Sequence, residues 1–245
     1  HGPWDAAVRE SSALRAAIYG AFFDELNAVE GAYVTTILWD QEKFYDTINV
    51  CKLIERSVEL QYPVLYTWLG LQMHMAPRLI KARDAYNFAG LPDNGIIAGC
   101  SQSNTFARIL LHTILEQRYN SPKIQGEDRL LRQFVDDIRQ SFAHANPAIV
   151  VKTALSEGIA LATQCIATGC RISDKTVILA NRDSISRKIK TALKLRGIDV
   201  KVAKYGKDLG VASTAGRRRC FQIMRQRISG TYTRVKRIRI LARYV

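Results

Sequence analysis

Paired cysteines, clustered histidines and long apolar runs are all missing from this sequence, and each absence removes a class of protein. The five cysteines, Cys51, Cys100, Cys165, Cys170 and Cys220, include no CxxC pair, and the four histidines are scattered. That pattern argues against a zinc site and against a disulfide framework. It fits reduced, packed thiols in an intracellular protein, nuclear or cytoplasmic. No charged-then-apolar leader opens the chain and no apolar run approaches about 18 residues, so nothing points to secretion or to a membrane span. The sequence begins at His1 without an initiator Met and ends at Val245 inside a basic, apolar pattern, and so reads as a piece of something longer. Disorder is excluded as well. With 47% hydrophobic and 24% charged residues in 245, the chain suffices for one large domain, or a domain plus an appendage.

Acidic residues are scarce at one end only. Arg171 to Val245 carries 21 Lys or Arg against 4 Asp or Glu, a net +17, whereas residues 1–170 come to −3, for a total of +14. A polyanion-binding half thus follows a near-neutral one. Nucleic acid is the natural partner, because neutralising phosphates releases counterions and drives binding.

Periodicity gives a coarse map. Residues 11–29 read as an amphipathic helix with Leu14, Ile18, Phe22, Leu26 and Val29 on one face, ended by Gly31. Tyr33 to Trp39 is a β-branched and aromatic run, the mark of a buried strand, and Asp40 stands at its end. Residues 46–60 read as a helix through Ile48, Cys51, Leu53, Ile54 and Val58, and another helix follows Pro63. Gly90 to Gly99 is a loop rich in breakers. Ser103 to Tyr119 is a long helix with Ser101 or Ser103 as N-cap, stopped by Asn120-Ser121-Pro122. Leu130 to Phe142 reads as a tight hairpin around Asp136 and Asp137. A helix over 147–168, a strand ending at Ala180, a basic helix over 184–196, a strand over 198–203, a turn at residues 208–211 and a basic helical tail complete the order. It is α+β rather than repeating βαβ.

The chemistry lies in the carboxylates. If the hairpin pairs beside the Tyr33–Trp39 strand, Asp40 meets Asp136 and Asp137. Clustered carboxylates raise one another's pKa, and a divalent cation such as Mg²⁺ removes that penalty. The motifs point the same way. Residues 37–48 (ILWDQEKFYDTI), 95–110 (GIIAGCSQSNTFARIL), 134–137 (FVDD), 169–178 (GCRISDKTVI) and 206–211 (GKDLGV) resemble, in order and spacing, successive motifs of reverse transcriptases. The resemblance spans about residues 33–215 and is nearest the non-LTR retrotransposon and group II intron type.

The resemblance implies a polymerase palm, with an antiparallel sheet backed by helices. Residues 1–32 would be partial fingers, 33–215 the palm with a finger-like helical insertion at about 50–95, and 216–245 the start of a basic thumb or connector. It implies an RNA-directed DNA polymerase that moves nucleotides from dNTPs onto a primer 3′ hydroxyl, along an RNA template and a DNA or RNA primer, with no membrane. Asp40, Asp136 and Asp137 would be the catalytic residues and hold two Mg²⁺ or Mn²⁺ ions. Phe44, Tyr45, Gly99 and Lys175 fall to the nucleotide, with Tyr45 barring a 2′ hydroxyl. Gly95, Ser103, Lys207, Gly210, Arg217, Arg218 and Arg219 fall to template and primer, and Asp208 to the primer backbone. Two departures stand out. Ile97 and Ala98 replace the family's Pro-Gln, and only Arg9 and Arg15 supply cations before Asp40. They keep open an inactive RNA-binding derivative, and Asp46 keeps open an RNA-dependent RNA polymerase.

Overall fold

The computed structural model describes residues 1–217 and 220–241. From the N-terminus, α1 (Ala13–Val29) leads into β1 (Tyr33–Trp39), followed by the helices α2 (Phe44–Thr47), α3 (Val50–Glu59) and α4 (Val64–His74). A hairpin of β2 (Arg78–Ala82) and β3 (Ala85–Gly90) precedes α5 (Ser103–Tyr119). A second hairpin, β4 (Asp128–Phe134) and β5 (Asp137–His144), leads to α6 (Pro147–Ala167), β6 (Val177–Ala180), α7 (Asp183–Lys194) and β7 (Lys201–Val202). A third, β8 (Gly206–Asp208) and β9 (Val211–Ser213), precedes α8 (Gln222–Leu241).

The main sheet has the order β4-β5-β1-β6-β7, with β1 antiparallel to both β5 and β6. The fold is therefore mixed α+β, a small sheet backed by helices. β1 is buried from Val34 to Trp39, which is why it reads as a β-branched and aromatic run rather than an alternation. Ile37 and Trp39 join Ile138, Phe142 and Ile178 against α5 and α6, and this is the main core. Gly158 lets α6 come down on the strand: a Cβ there would lie 3.3 Å from Ile37 Cδ1. The opposite face carries Val34, Leu38, Ala143 and Leu179 beneath α1 and Ala215. Residues 4–6 run along the outer edge of β4, with Ala6 N–H on the Gln133 carbonyl (2.8 Å) and Gln133 N–H on that of Trp4 (2.8 Å).

Several expectations need correction. The apolar stripe of α1 points outward: Phe22 is 61% and Val29 85% exposed, while Ala17, Gly20, Asp24 and Asn27 are buried. Small residues permit the helix's close approach to the sheet, and Asp24 answers a buried cation described below. On α3 only Leu53 and Ser57 are buried, leaving Cys51, Ile54 and Val58 outside. The cap of α5 is Gln102, not Ser101 or Ser103. Residues 198–203 give only the two-residue β7, and the β2–β3 hairpin had no sequence signal. Finally, α6 is long and apolar enough to cross a membrane by length and composition, contrary to the reading that no run approaches that length. Its buried face, Val150, Ala154, Leu161 and Cys165, belongs to the core.

Candidate active site

β1 and β5 pair as far as Trp39 opposite Ile138, so Asp40, the residue after β1, lies near Asp137, the first residue of β5. Asp136 is the second residue of the two-residue turn that closes the β4–β5 hairpin, where Phe134 pairs with Asp137. The first turn residue, Val135, has φ 62, a costly conformation for a β-branched side chain. Just past β1, the chain is held by the 171–176 loop. Asp40 N–H donates to Thr176 Oγ1 (3.1 Å), and its carbonyl accepts from Ser173 N–H (2.8 Å). The expected juxtaposition of strand end and hairpin tip is thus present in the backbone.

Electrostatics ties the three acids together. Burial, then the Asp40 charge, pushes the half-buried Asp136 carboxyl up, against a backbone hydrogen bond of its own. Asp137 is driven further, to about 7, first by burial and then by Asp136, Asp40 and Asp208, with Lys207 opposing. Its side chain keeps an open flank to solvent while protein and like charges crowd the rest. The Tyr45 hydroxyl is raised by burial and by Asp136, which brings that tyrosine into the same patch.

The first and second motifs meet beside this patch. Phe44 is buried and packs edge-on to the Tyr45 ring, with centroids 5.4 Å apart. It is core rather than exposed to a nucleotide. Tyr45 is half-buried and its hydroxyl donates to Asn104 Oδ1 (3.1 Å). Gly95 is buried at φ 85, and a Cβ on it would lie 2.8 Å from the Asp46 carbonyl oxygen. It seats the loop against the Tyr45–Asp46 backbone. Gly99, also at φ 85, faces open space. Ser103 is wholly buried and its hydroxyl donates to the Ile97 carbonyl (2.5 Å), so it braces the loop.

Elsewhere, Lys175 is exposed on the loop that holds Asp40, and Lys207 is exposed near Asp137. Gly210 closes the β8–β9 turn at φ 88, where a Cβ would meet Arg227 Nη2 at 2.1 Å. Asp208, assigned to the primer backbone, is instead buried on Arg139. Arg217 pairs with Asp183 (2.7 Å), so its charge is already engaged within the chain. Arg218 and Arg219 lie outside the described residues.

Sequence reasoning missed the support beneath the patch. Arg139, 4% exposed, is held by Asp24 of α1, Asp208 of β8, the Gly20 carbonyl (2.9 Å) and Ser141 Oγ (3.0 Å). Thr36 Oγ1 donates to Asp24 Oδ2 (2.9 Å). The available signal was Arg139 on the same strand face as Asp137, two residues on, in a strand that is otherwise uncharged and mostly apolar before His144.

Oxygen donors of this type suit Mg²⁺ or Mn²⁺, and a divalent charge would relieve the crowding that raises Asp136 and Asp137. The fit is one of donor type and charge. Among the described residues, no group of three or more His, Cys, Asp or Glu side chains stands close enough together to hold a metal ion. Oxygens from outside the chain would have to complete any coordination.

No protein-family model and no curated protein matches the sequence. Solved structures do. The apo telomerase of Candida tropicalis truncated from its C-terminal domain aligns at TM-score 0.55 and 14% identity, over 87% of this chain and 40% of that one. The apo telomerase of the same organism aligns at TM-score 0.53 and 17% identity, over 86% and 35%. The chain thus spans about 40% of the length of the first. At these identities the likeness is one of fold alone: the chain shares a fold with part of these telomerase structures.

Proposed function

We propose that this chain is the palm-centred core of a reverse transcriptase, with residues 1–32 as partial fingers and 216–245 opening a thumb. The observation that carries the reading is the antiparallel pairing of β1 and β5, which brings the strand end before Asp40 beside the hairpin tip that holds Asp136 and Asp137. The telomerase-like fold supports it. We read it as nearest the non-LTR retrotransposon and group II intron type, on the resemblance of residues 169–178 to the fourth motif of those enzymes.

Two Mg²⁺ or Mn²⁺ ions on Asp40, Asp136 and Asp137 would activate a primer 3′ hydroxyl and neutralise the leaving pyrophosphate. The chain's own residues do the rest. Tyr45 stands beside Asp136 and takes the space of a ribose 2′ hydroxyl, favouring dNTPs. Lys207 sets a cation next to Asp137. The cations of α8, among them Arg225, Arg234 and Arg237, follow backbone phosphates of an RNA template and its primer, which suits an enzyme that must accept any sequence. The setting is intracellular.

The test is primer extension by the 245-residue chain with Mg²⁺ or Mn²⁺, RNA template and dNTPs. Asp136→Ala should abolish extension and leave template binding within about twofold, because positioning and charge at the metals, not grip, are what it removes. Loss of binding as well would make the carboxylate structural. One observation favours a second reading, an inactive RNA-binding derivative: the acids are not gathered into a metal-ligand group among the described residues. RNA binding without extension, in wild type and Asp136→Ala alike, would select it. Preference for NTPs over dNTPs would select an RNA-dependent RNA polymerase.

A further inference from the structure

α4 is built inside out. Its buried residues are Thr67, Gly70 and His74, while Leu65, Trp68 and Met73 are exposed. Gly70 allows close approach to α5, since a Cβ there would stand 2.6 Å from Phe106 Cζ. One turn later the same face delivers the His74 ring, fully buried and edge-on to Phe106 with centroids 5.7 Å apart. A helix that buries a polar stripe needs a reason, and the reason lies in residues 95–97.

Three successive backbone N–H groups of that loop each find one acceptor. Gly95 donates to the Ile48 carbonyl (2.8 Å), Ile96 to that of Tyr45 (2.8 Å) and Ile97 to His74 Nδ1 (3.0 Å). The Ile97 carbonyl in turn accepts from Ser103. The loop is thereby fastened to the Tyr45–Ile48 turn, and Tyr45 is tied at its hydroxyl to Asn104. Of the three acceptors only His74 is a side chain. Accepting at Nδ1 fixes the neutral tautomer with the proton on Nε2, an atom that is buried with no hydrogen-bond partner. A protonated ring would turn Nδ1–H against the Ile97 N–H. Burial, then the Arg78 charge, pushes the His74 pKa down, in keeping with a neutral ring.

We infer that His74 is a positioning residue for nucleotide selection: by holding Ile97 it fixes residues 95–97 against Tyr45, and so sets the shape of the space beside Asp136 in which a nucleoside triphosphate sugar is judged. The inference rests on the polymerase reading above. Ile97 and Ala98, which replace Pro-Gln, leave a loop free to use that backbone N–H, which a proline at 97 would lack.

The experiment compares His74→Leu with His74→Asn in the 245-residue chain. Asn can set Oδ1 where Nδ1 stood, while Leu fills space and accepts nothing. Two quantities are read: hydrogen exchange of the 95–99 amides, and KM and kcat for dNTPs and NTPs in primer extension. In His74→Leu, loop exchange should speed up and the dNTP-over-NTP preference fall, each by about threefold to tenfold, the size of one ordinary hydrogen bond. The change should sit in KM more than in kcat, and His74→Asn should stay near wild type. Faster exchange with unchanged selection would overturn the inference, as would equal behaviour of the two variants. If exchange responds as described but wild type extends no primer, the polymerase reading fails and the inference falls with it.

Discussion

Gly95 and Gly99 share a φ of 85, and a sequence motif treats them as equals, but their surroundings differ. Alanine at Gly99 meets only the backbone cost of a left-handed residue, about 1–2 kcal/mol. Alanine at Gly95 meets that cost plus the Asp46 carbonyl oxygen at 2.8 Å, and should lose at least about 1 kcal/mol more. Denaturant unfolding of the two variants measures the difference; equal losses would mean the loop simply shifts. A second prediction concerns Asp137. Its folded pKa, about 7, lies above its ordinary 3.8, so the native state holds the proton more tightly than the unfolded chain. Stability from this group is therefore greatest below pH 4, declines between about pH 4 and 7, and levels off above. Asp137→Asn should raise the melting temperature at pH 8 and leave it nearly unchanged at pH 4. Mg²⁺ should stabilise wild type at pH 8 more than the variant. A wild type that gains stability through that window from this residue would reverse the sign and refute the crowding.

At the scale of elements, the carboxylate hairpin and its strand were legible because a buried strand and a tight turn follow from short-range pattern. β1 is a β-branched and aromatic run, and Asp136-Asp137 punctuates the hairpin that follows α5. What periodicity could not give is which face of a helix turns inward. α1 and α4 bury polar or small stripes because Arg139 and the Ile97 N–H demand partners there, and both demands come from residues far away in sequence. The internal partners of Ser103, Asp208 and Arg217 were illegible for the same reason: a motif marks a position but not whether its side chain is already engaged within the fold. The Arg139 cluster ties α1, β5 and β8 together, so its removal is the sharpest test at this scale. Arg139→Met leaves Asp24 and Asp208 buried without their cation and should cost about 3–5 kcal/mol. Adding Asp24→Asn and Asp208→Asn should recover part of it, and chemical denaturation of the single and triple variants decides the point. A loss near zero for the single variant would mean that the two acids simply take up protons at no cost, and that the cluster does not hold the elements.

For the whole molecule, the decisive asymmetry is of charge. The sheet and its carboxylates lie mostly in a half carrying −3, and α8 is the largest single contributor to the +17 of residues 171–245, with six cations and no acid. Of the 21 cations behind that net charge, two pair with acids of the same segment, Arg217 with Asp183 and Lys201 with Asp174. α8 is different. Arg225, Arg227, Arg234, Lys236, Arg237 and Arg239 stand exposed along one helix. If that helix follows phosphates, RNA affinity should fall steeply and linearly on a log–log plot against salt, by about one unit of slope for each phosphate neutralised. Replacing Arg225, Arg234 and Arg237 with Gln should flatten the slope by about two to three units, while Arg217→Gln, whose cation is already paired, should change it by far less than one. Fluorescence titration of a labelled RNA between low and moderate salt measures both. A slope that ignores the α8 substitutions would place the polyanion on another face and leave the basic helix without a role in binding.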